Sequence, residues 1–386
     1  MSNASEGNPG EGFGRFFLPG PTEVHPDVLQ AQARPMIGHR GPAIEELMGR
    51  IQDGLRMLFR TDRYVLISTS SATGLMEAAI RNGARDRVLS LVNGAFSGRF
   101  ANIAESCGKG VDRLEVPWGE VHDPDRVREK LQSGDYDAVT LVHSETSTGA
   151  LNRVPEIAEV VREFEDVFVL VDSVSGLGGA DVRTDEWALD FVLTGTQKAV
   201  AVPPGLAFAA PSERFMERSK GLPDRGTYFD LQKFQAKIEK NQTPNTPAVS
   251  LLYALDVQLE RIRAEGLDAR QERHLEMARR CWEWVDGLRE DRGVDVRCFV
   301  EKPAHRSPTV TCVLLPDGLS GKSVVSAMKE KGWVIGGGYG KMKEGAFRIG
   351  HMGEQTVDTL NGLLAELEET LVELNATRTT TQTTHA

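Results

Sequence analysis

The chain reads as an α/β protein of two units, a large domain on a mostly parallel mixed sheet and a smaller C-terminal α/β domain. Short apolar runs alternate with helical patterns from Tyr64 to Ala210, as in βαβ units whose sheet is covered on both faces. A long helical stretch from about Leu267 to Leu288 separates that alternation from a shorter one. The 386 residues suffice for two substantial cores. The expected division is a disordered polar tail at 1–15, a large domain with an N-terminal arm at 16–265, a small domain at 266–376 and a Thr-rich polar tail at 377–386.

Taken in order, Phe16–Thr22 is extended, since Pro19 and Pro21 bar helix and Gly20 permits close backbone approach. Met36–Pro42 is a loop before a helix at Ala43–Leu58, where Ile44, Leu47, Met48, Ile51, Leu55 and Leu58 make a core face. A strand at Tyr64–Ser68 leads through Thr69–Gly74 into a helix from about Leu75 to Asn82. Arg87–Val92 is a strand, and Asn93–Arg99 turns into a helix ending near Cys107. Further strands are expected at Asp137–His143, Val167–Val171, Asp190–Leu193 and Leu206–Ala210, with Pro155 opening a helix. Pro244 and Pro247 bound a loop before a helix at Ser250–Ala264. In the second unit, strands at Asp295–Val300, Thr309–Leu315 and Phe347–Gly350 alternate with helices at Lys322–Lys331 and Glu354–Leu374. Gly336–Gly340 leads into no helix and reads as a flexible connection near the active site rather than a phosphate loop.

Composition excludes several function classes. A net charge of −11 opposes nucleic acid and anionic membrane as partners, because both would be repelled. No apolar run approaches bilayer length and no basic-then-apolar leader opens the chain, so a cytoplasmic protein is expected. Cys107, Cys281, Cys298 and Cys312 are scattered without a Cys-x-x-Cys pair. They read as buried structural thiols of a reducing compartment, and no metal site is expected.

The chemistry concentrates at two strand ends. Lys198 follows an apolar run and precedes Ala199–Gly205, with no acidic residue adjacent in sequence. Desolvation there would lower its pKa and free the amine as nucleophile or base, although a lysine at a strand end more often reaches solvent. Asp172 ends the other run, followed by the small residues Ser173–Gly179, at the carboxyl edge where open α/β sheets bind ligands. A lysine for an aldehyde and a carboxylate for a pyridinium nitrogen are what pyridoxal 5'-phosphate needs.

The segments Val171–Gly179 and Gly195–Lys198, in this order, resemble the class V aminotransferases, in particular the alanine/serine-glyoxylate and pyruvate branch, and the resemblance runs from about Phe16 to Leu371. It implies a fold type I pyridoxal-phosphate transferase that moves an amino group from alanine or serine to glyoxylate or pyruvate. Lys198 and Asp172 become the catalytic pair. Ser71, Ala72 and Thr73 match the phosphate-holding segment, while an ordinary helix cap is the plainer account of their hydroxyls. Phe96 falls where relatives commonly place a tryptophan stacked on the ring, though a core phenylalanine fits equally. His143–Gly149 resembles the family's His-x-Glu-x-Ser-Thr-Gly stretch, and Thr146 is the expected partner of the ring oxygen. Val174 joins the cofactor set, and Gln197 is a further contact either to the cofactor phosphate or to a partner chain.

Three further expectations concern substrate and assembly. Gly20 is a backbone contact for the substrate carboxylate, and Arg348 is that carboxylate's guanidinium partner unless it closes an internal salt bridge. His39 and Arg40 are either a solvated loop pair or part of the substrate mouth. A similar pair occurs in phosphoserine aminotransferases, so a phosphoserine or acidic-substrate enzyme is the alternative, ahead of a lyase or cysteine desulfurase. Thr243 and Thr246 match a loop that reaches the neighbouring subunit's cofactor phosphate, which implies a homodimer with shared sites.

Overall fold

The computed structural model describes residues 13–384, so most of the expected 1–15 tail and the last two residues lie outside the described residues. Among them are two main sheets, each with its own hydrophobic core. The larger runs in the order Leu66–Ser68, Ala207–Pro211, Phe191–Gly195, Phe168–Asp172, Ala138–Val142, Arg87–Val92, Gly110–Glu115. Six of these seven strands point the same way, and Ala207–Pro211 runs against both of its neighbours. The central strands are apolar at nearly every position because helices pack on both faces. Phe191, Phe208 and Phe215 are fully buried there, each contributing about 1.5–3 kcal/mol by its burial.

The smaller sheet runs Phe16–Phe17, Val334–Gly337, Ala346–Ile349, Thr311–Leu314, Arg297–Cys298. Its first strand comes from the N-terminal arm, pairing Phe16 with Val334 and Phe17 with Ile335 in parallel. The helices Leu267–Arg292, Gly321–Glu330 and Val357–Thr384 cover it.

Several expectations need correcting. The strand Gly110–Glu115 was not anticipated: it is the half-exposed edge strand and carries charges instead of an apolar run. Asp295–Val300 shrinks to Arg297–Cys298, since only those residues pair with Thr311–Leu314, while buried Val294, Val296 and Val300 supply the alternation without a ladder. The last helix begins at Val357 and not at Glu354, because Thr356 and Thr359 cap it reciprocally through their hydroxyls and amides. It also runs through the Thr-rich segment to Thr384; extending an existing helix adds one bond per residue fixed, so weak helix formers can follow a well-packed stretch. Cys281, Cys298 and Cys312 are buried, but Cys107 is only half-buried. No helix among the described residues is long and apolar enough to cross a membrane, and none of their His, Cys, Asp and Glu groups could hold a metal ion.

Candidate active site

The carboxyl ends of the parallel strands converge on one place. Leu66–Ser68 leads to Ser71, Arg87–Val92 to Phe96, Ala138–Val142 to Thr146, Phe168–Asp172 ends on Asp172, and Phe191–Gly195 leads to Lys198. A cavity of about 240 Å³ opens there. Of the residues singled out from the sequence, Gly20, Ser71, Ala72, Thr73 and Phe96 line it, as do Thr146, Asp172, Val174, Gln197 and Lys198.

Lys198 is held by its own turn. The Ala201 amide donates to the Lys198 carbonyl at 2.8 Å with Ala201 at φ 58°, and the Val202 amide donates to the Thr196 carbonyl. The N-terminal arm straps this turn from outside: Thr22 donates from its amide to the Gln197 carbonyl and from Oγ1 to the Lys198 carbonyl. The Lys198 Nζ donates to the Pro19 carbonyl. Burial, helped by the Arg348 guanidinium, brings its pKa down to about 8. Gly20 sits at φ +110°, and a Cβ there would lie 2.3 Å from Lys198 Nζ, so only glycine fits both the conformation and the space.

Asp172 is buried against the opposite wall. Its Oδ1 accepts from the Val174 amide at 2.8 Å, which favours the charged form, but burial dominates and Glu145 adds to it, so the pKa rises to about 7. His143 backs the same turn, with Nδ1 3.0 Å from Ser173 Oγ. Thr146 Oγ1 and Ser175 Oγ share a hydrogen bond.

Ser71 caps the Ala72–Gly83 helix without a side-chain cap bond, and Ser71 and Thr73 are exposed toward the cavity. The free N–H groups of a first helical turn and two uncommitted hydroxyls therefore face one place, which suits a phosphate. Amine, carboxylate and helix terminus are the donor set that pyridoxal phosphate requires, and the residues fit the group.

Arg348 does not line the cavity but borders it through Thr146. Its Nε donates to the Gly337 carbonyl at 2.8 Å and a terminal nitrogen to the Thr146 carbonyl at 3.0 Å. Among the described residues it has no ion pair, so the internal salt bridge is absent, and burial lowers its pKa. His39, Arg40, Thr243 and Thr246 are not brought to this cavity. The Arg40 guanidinium is occupied by the His39 carbonyl at 2.7 Å and the Thr243 carbonyl at 3.0 Å, and Thr243 Oγ1 donates to the Asn245 carbonyl.

Three residues escaped the sequence reading. Arg99 lines the cavity with its guanidinium 4.8 Å from the Phe96 ring centre. Tyr339, in the glycine-rich connection, stacks on Phe96 at 5.5 Å and lies under Arg348. Glu145 is fully buried beneath Phe96. The Glu of the His-x-Glu-x-Ser-Thr-Gly stretch was the available signal for the last; nothing local marks the other two.

A buried amine of lowered pKa, a buried carboxylate and a phosphate-ready helix terminus at the carboxyl edge of this sheet are what a pyridoxal-phosphate-dependent enzyme requires. The chain belongs to the class V aminotransferases, whose sequence profile, Aminotransferase class-V, matches residues 25–341. It is 39% identical over 365 residues, 93% of each chain, to an uncharacterized aminotransferase of Methanocaldococcus jannaschii. It is 32% identical over 352 residues to the L-aspartate-glyoxylate aminotransferase of Paracoccus denitrificans, covering 88% of this chain and 87% of that one. The crystal structure of an alanine-glyoxylate aminotransferase from a Nostoc species superposes with a TM-score of 0.86 at 31% identity, over 92% of this chain and 95% of that one.

Proposed function

We propose that this transaminase moves the amino group of a small amino acid, alanine or serine, to a small 2-oxo acid, glyoxylate or pyruvate. The observation that carries the reading is Arg348: a buried guanidinium without an acidic partner, set by two backbone carbonyls at the edge of a cavity of about 240 Å³. Such a fork matches one carboxylate. Glyoxylate as acceptor is supported by the two relatives named for it.

Pyridoxal phosphate, when bound, supplies a carbonyl that captures amines and a ring that accepts electrons. The chain's residues do the rest. Lys198, uncharged in part near neutral pH, removes the proton from the donor's α-carbon and delivers one to the α-carbon of the amino acid made from the acceptor. Asp172 would hold the ring nitrogen and keep it protonated. Phe96 would cover the ring, Ser71 and Thr73 would hold the phosphate and Thr146 the ring oxygen, with Val174 and Gln197 lining the same cavity. Gly20 lets the substrate carboxylate approach its backbone beside Arg348. Thr243 and Thr246 serve a second subunit's site in a homodimer.

A second reading, an acidic amino donor, is favoured by Arg99, which lines the cavity and has no ion pair among the described residues, and by the aspartate-using relative. Single half-reactions separate the two, with the bound cofactor's spectrum followed as each amino acid is added. Conversion by alanine or serine at concentrations where aspartate and phosphoserine are inert supports the first reading; the reverse order overturns it.

A further inference from the structure

We propose that Glu145 is a positioning residue of the amino-transfer site: its buried carboxylate ties the Ala95–Ser106 helix to the Glu145–Ser147 turn and so fixes where the Phe96 ring stands relative to Lys198 and Asp172. The proposal rests on the reading of Phe96 as the ring's cover.

The contacts are unusually complete for one side chain. Glu145 accepts from the amides of Phe96 at 3.1 Å and Ser97 at 2.9 Å, from Ser97 Oγ at 3.0 Å, and from Ser147 Oγ at 2.6 Å. Ser147 Oγ in turn accepts from the Ala95 amide. The first turn of the helix therefore has its free N–H groups satisfied by one carboxylate and one serine from a different element. Gly94 is required for this approach, because a Cβ there would lie 2.3 Å from Glu145 Cγ. No lysine, arginine or histidine makes an ion pair with Glu145 among the described residues. A buried carboxylate without a cation is costly where Ser or Asp at the cap position would satisfy the same helix locally.

What distinguishes this arrangement from a cap is where it leads. The residue whose amide is held is Phe96, whose ring centre lies 6.0 Å from Lys198 Nζ. The residue after Glu145 is Thr146, which lines the same cavity and whose carbonyl holds Arg348. One side chain thus sets the distance between the aromatic wall, the hydroxyl that faces the ring and the arginine for the substrate. Its charge is felt by the site as well: it opposes ionisation of Asp172 and supports the cationic forms of Lys198 and Arg348.

The test is Glu145→Gln in the full chain. On the holoenzyme, kcat is expected to fall by about tenfold or more, the penalty of a misplaced reacting geometry, while the donor KM changes little. On the cofactor-free protein, the pH midpoint for labelling of Lys198 by an amine-reactive reagent, read by peptide mass spectrometry, is expected to move down, since a supporting negative charge is gone. A lowered melting temperature with kcat and labelling midpoint both unchanged would mean a purely structural cap and overturn the proposal. Should the Gln variant not fold, Ser147→Ala, which removes one donor and the Ala95 link, is expected to lower kcat in the same sense; unchanged kcat there would overturn it too. Phe96→Leu separates the underlying reading: if it leaves kcat intact, the stacking role itself fails, whatever Glu145→Gln does.

Discussion

An ammonium group that is only 8% exposed, with a carbonyl oxygen as its hydrogen-bond partner, is out of place in a stable fold. Lys198 is kept there by the strapped turn around it, and a buried amine of lowered pKa in a cavity is what the proposed reactive group needs. Lys198→Met is therefore expected to abolish transamination and the visible band of the bound cofactor, yet to stabilise the cofactor-free protein at pH 7. The sign follows from linkage: a lysine whose pKa falls from 10.5 to about 8 on folding opposes folding below pH 8, and the opposition fades as pH rises toward 10.5. Thermal melts at pH 7 and pH 10 check it; a gain no larger at pH 7 than at pH 10 refutes the account. Asp172 behaves in the opposite pH window. Its pKa rises from 3.8 to about 7 on folding, so ionising it removes stability progressively between those values. Buried His122, His143 and His351, with pKa lowered to about 4, pull the other way below pH 6.5. The expected result for Asp172→Asn is thus a difference: relative to the native chain, its cofactor-free stability improves between pH 5 and pH 8, while kcat falls because the ring nitrogen loses its anion.

Lys198 and Asp172 stand out in the sequence because Asp172 ends an apolar run and Lys198 follows one; the lysine alone is a weak signal, and only the two together point to one ligand. Phe96, Thr146 and Gly20 needed the family resemblance, since a phenylalanine or a threonine at a turn has many uses. Arg99 and Tyr339 were not readable at all: they meet only because elements 240 residues apart place them together, and the bond between them spans that separation. Among whole elements, continuous apolar strands were found close to their true bounds, whereas the charged edge strand Gly110–Glu115 and the cap of the last helix were not, because edges and caps are decided by neighbours. The Ala72–Gly83 helix is the element proposed to hold the cofactor phosphate. Thr73→Val, which keeps shape but removes the hydroxyl, is expected to weaken cofactor binding by about 0.5–1.5 kcal/mol, the worth of one hydrogen bond. Equilibrium dialysis of the cofactor measures it, and unaltered affinity would remove Thr73 from the phosphate site.

At the level of the molecule, the two cores are joined by a buried ionic knot. Arg270, 1% exposed, bonds Glu265, Glu354 and the Ala199 carbonyl next to Lys198, and breaking such a network by removing one partner typically costs 3–5 kcal/mol. Arg270→Met is expected to lower the melting temperature and raise the donor KM together. The proposed homodimer is tested by complementation: Lys198→Ala mixed with a Thr243→Ala/Thr246→Ala double variant and refolded together is expected to regain about a quarter of the sites, as random two-fold pairing dictates. No regain would confine Thr243 and Thr246 to their own chain.

The arm that begins at Phe16 carries a consequence for biosynthesis. Its two-residue strand finds its partner only in Val334 and Ile335, more than three hundred positions downstream, and the glycine that leans on the reactive lysine follows that strand directly. More than three hundred residues must leave the ribosome before that pairing can close. The nascent enzyme is thereby expected to stay inert until Val334 and Ile335 have emerged.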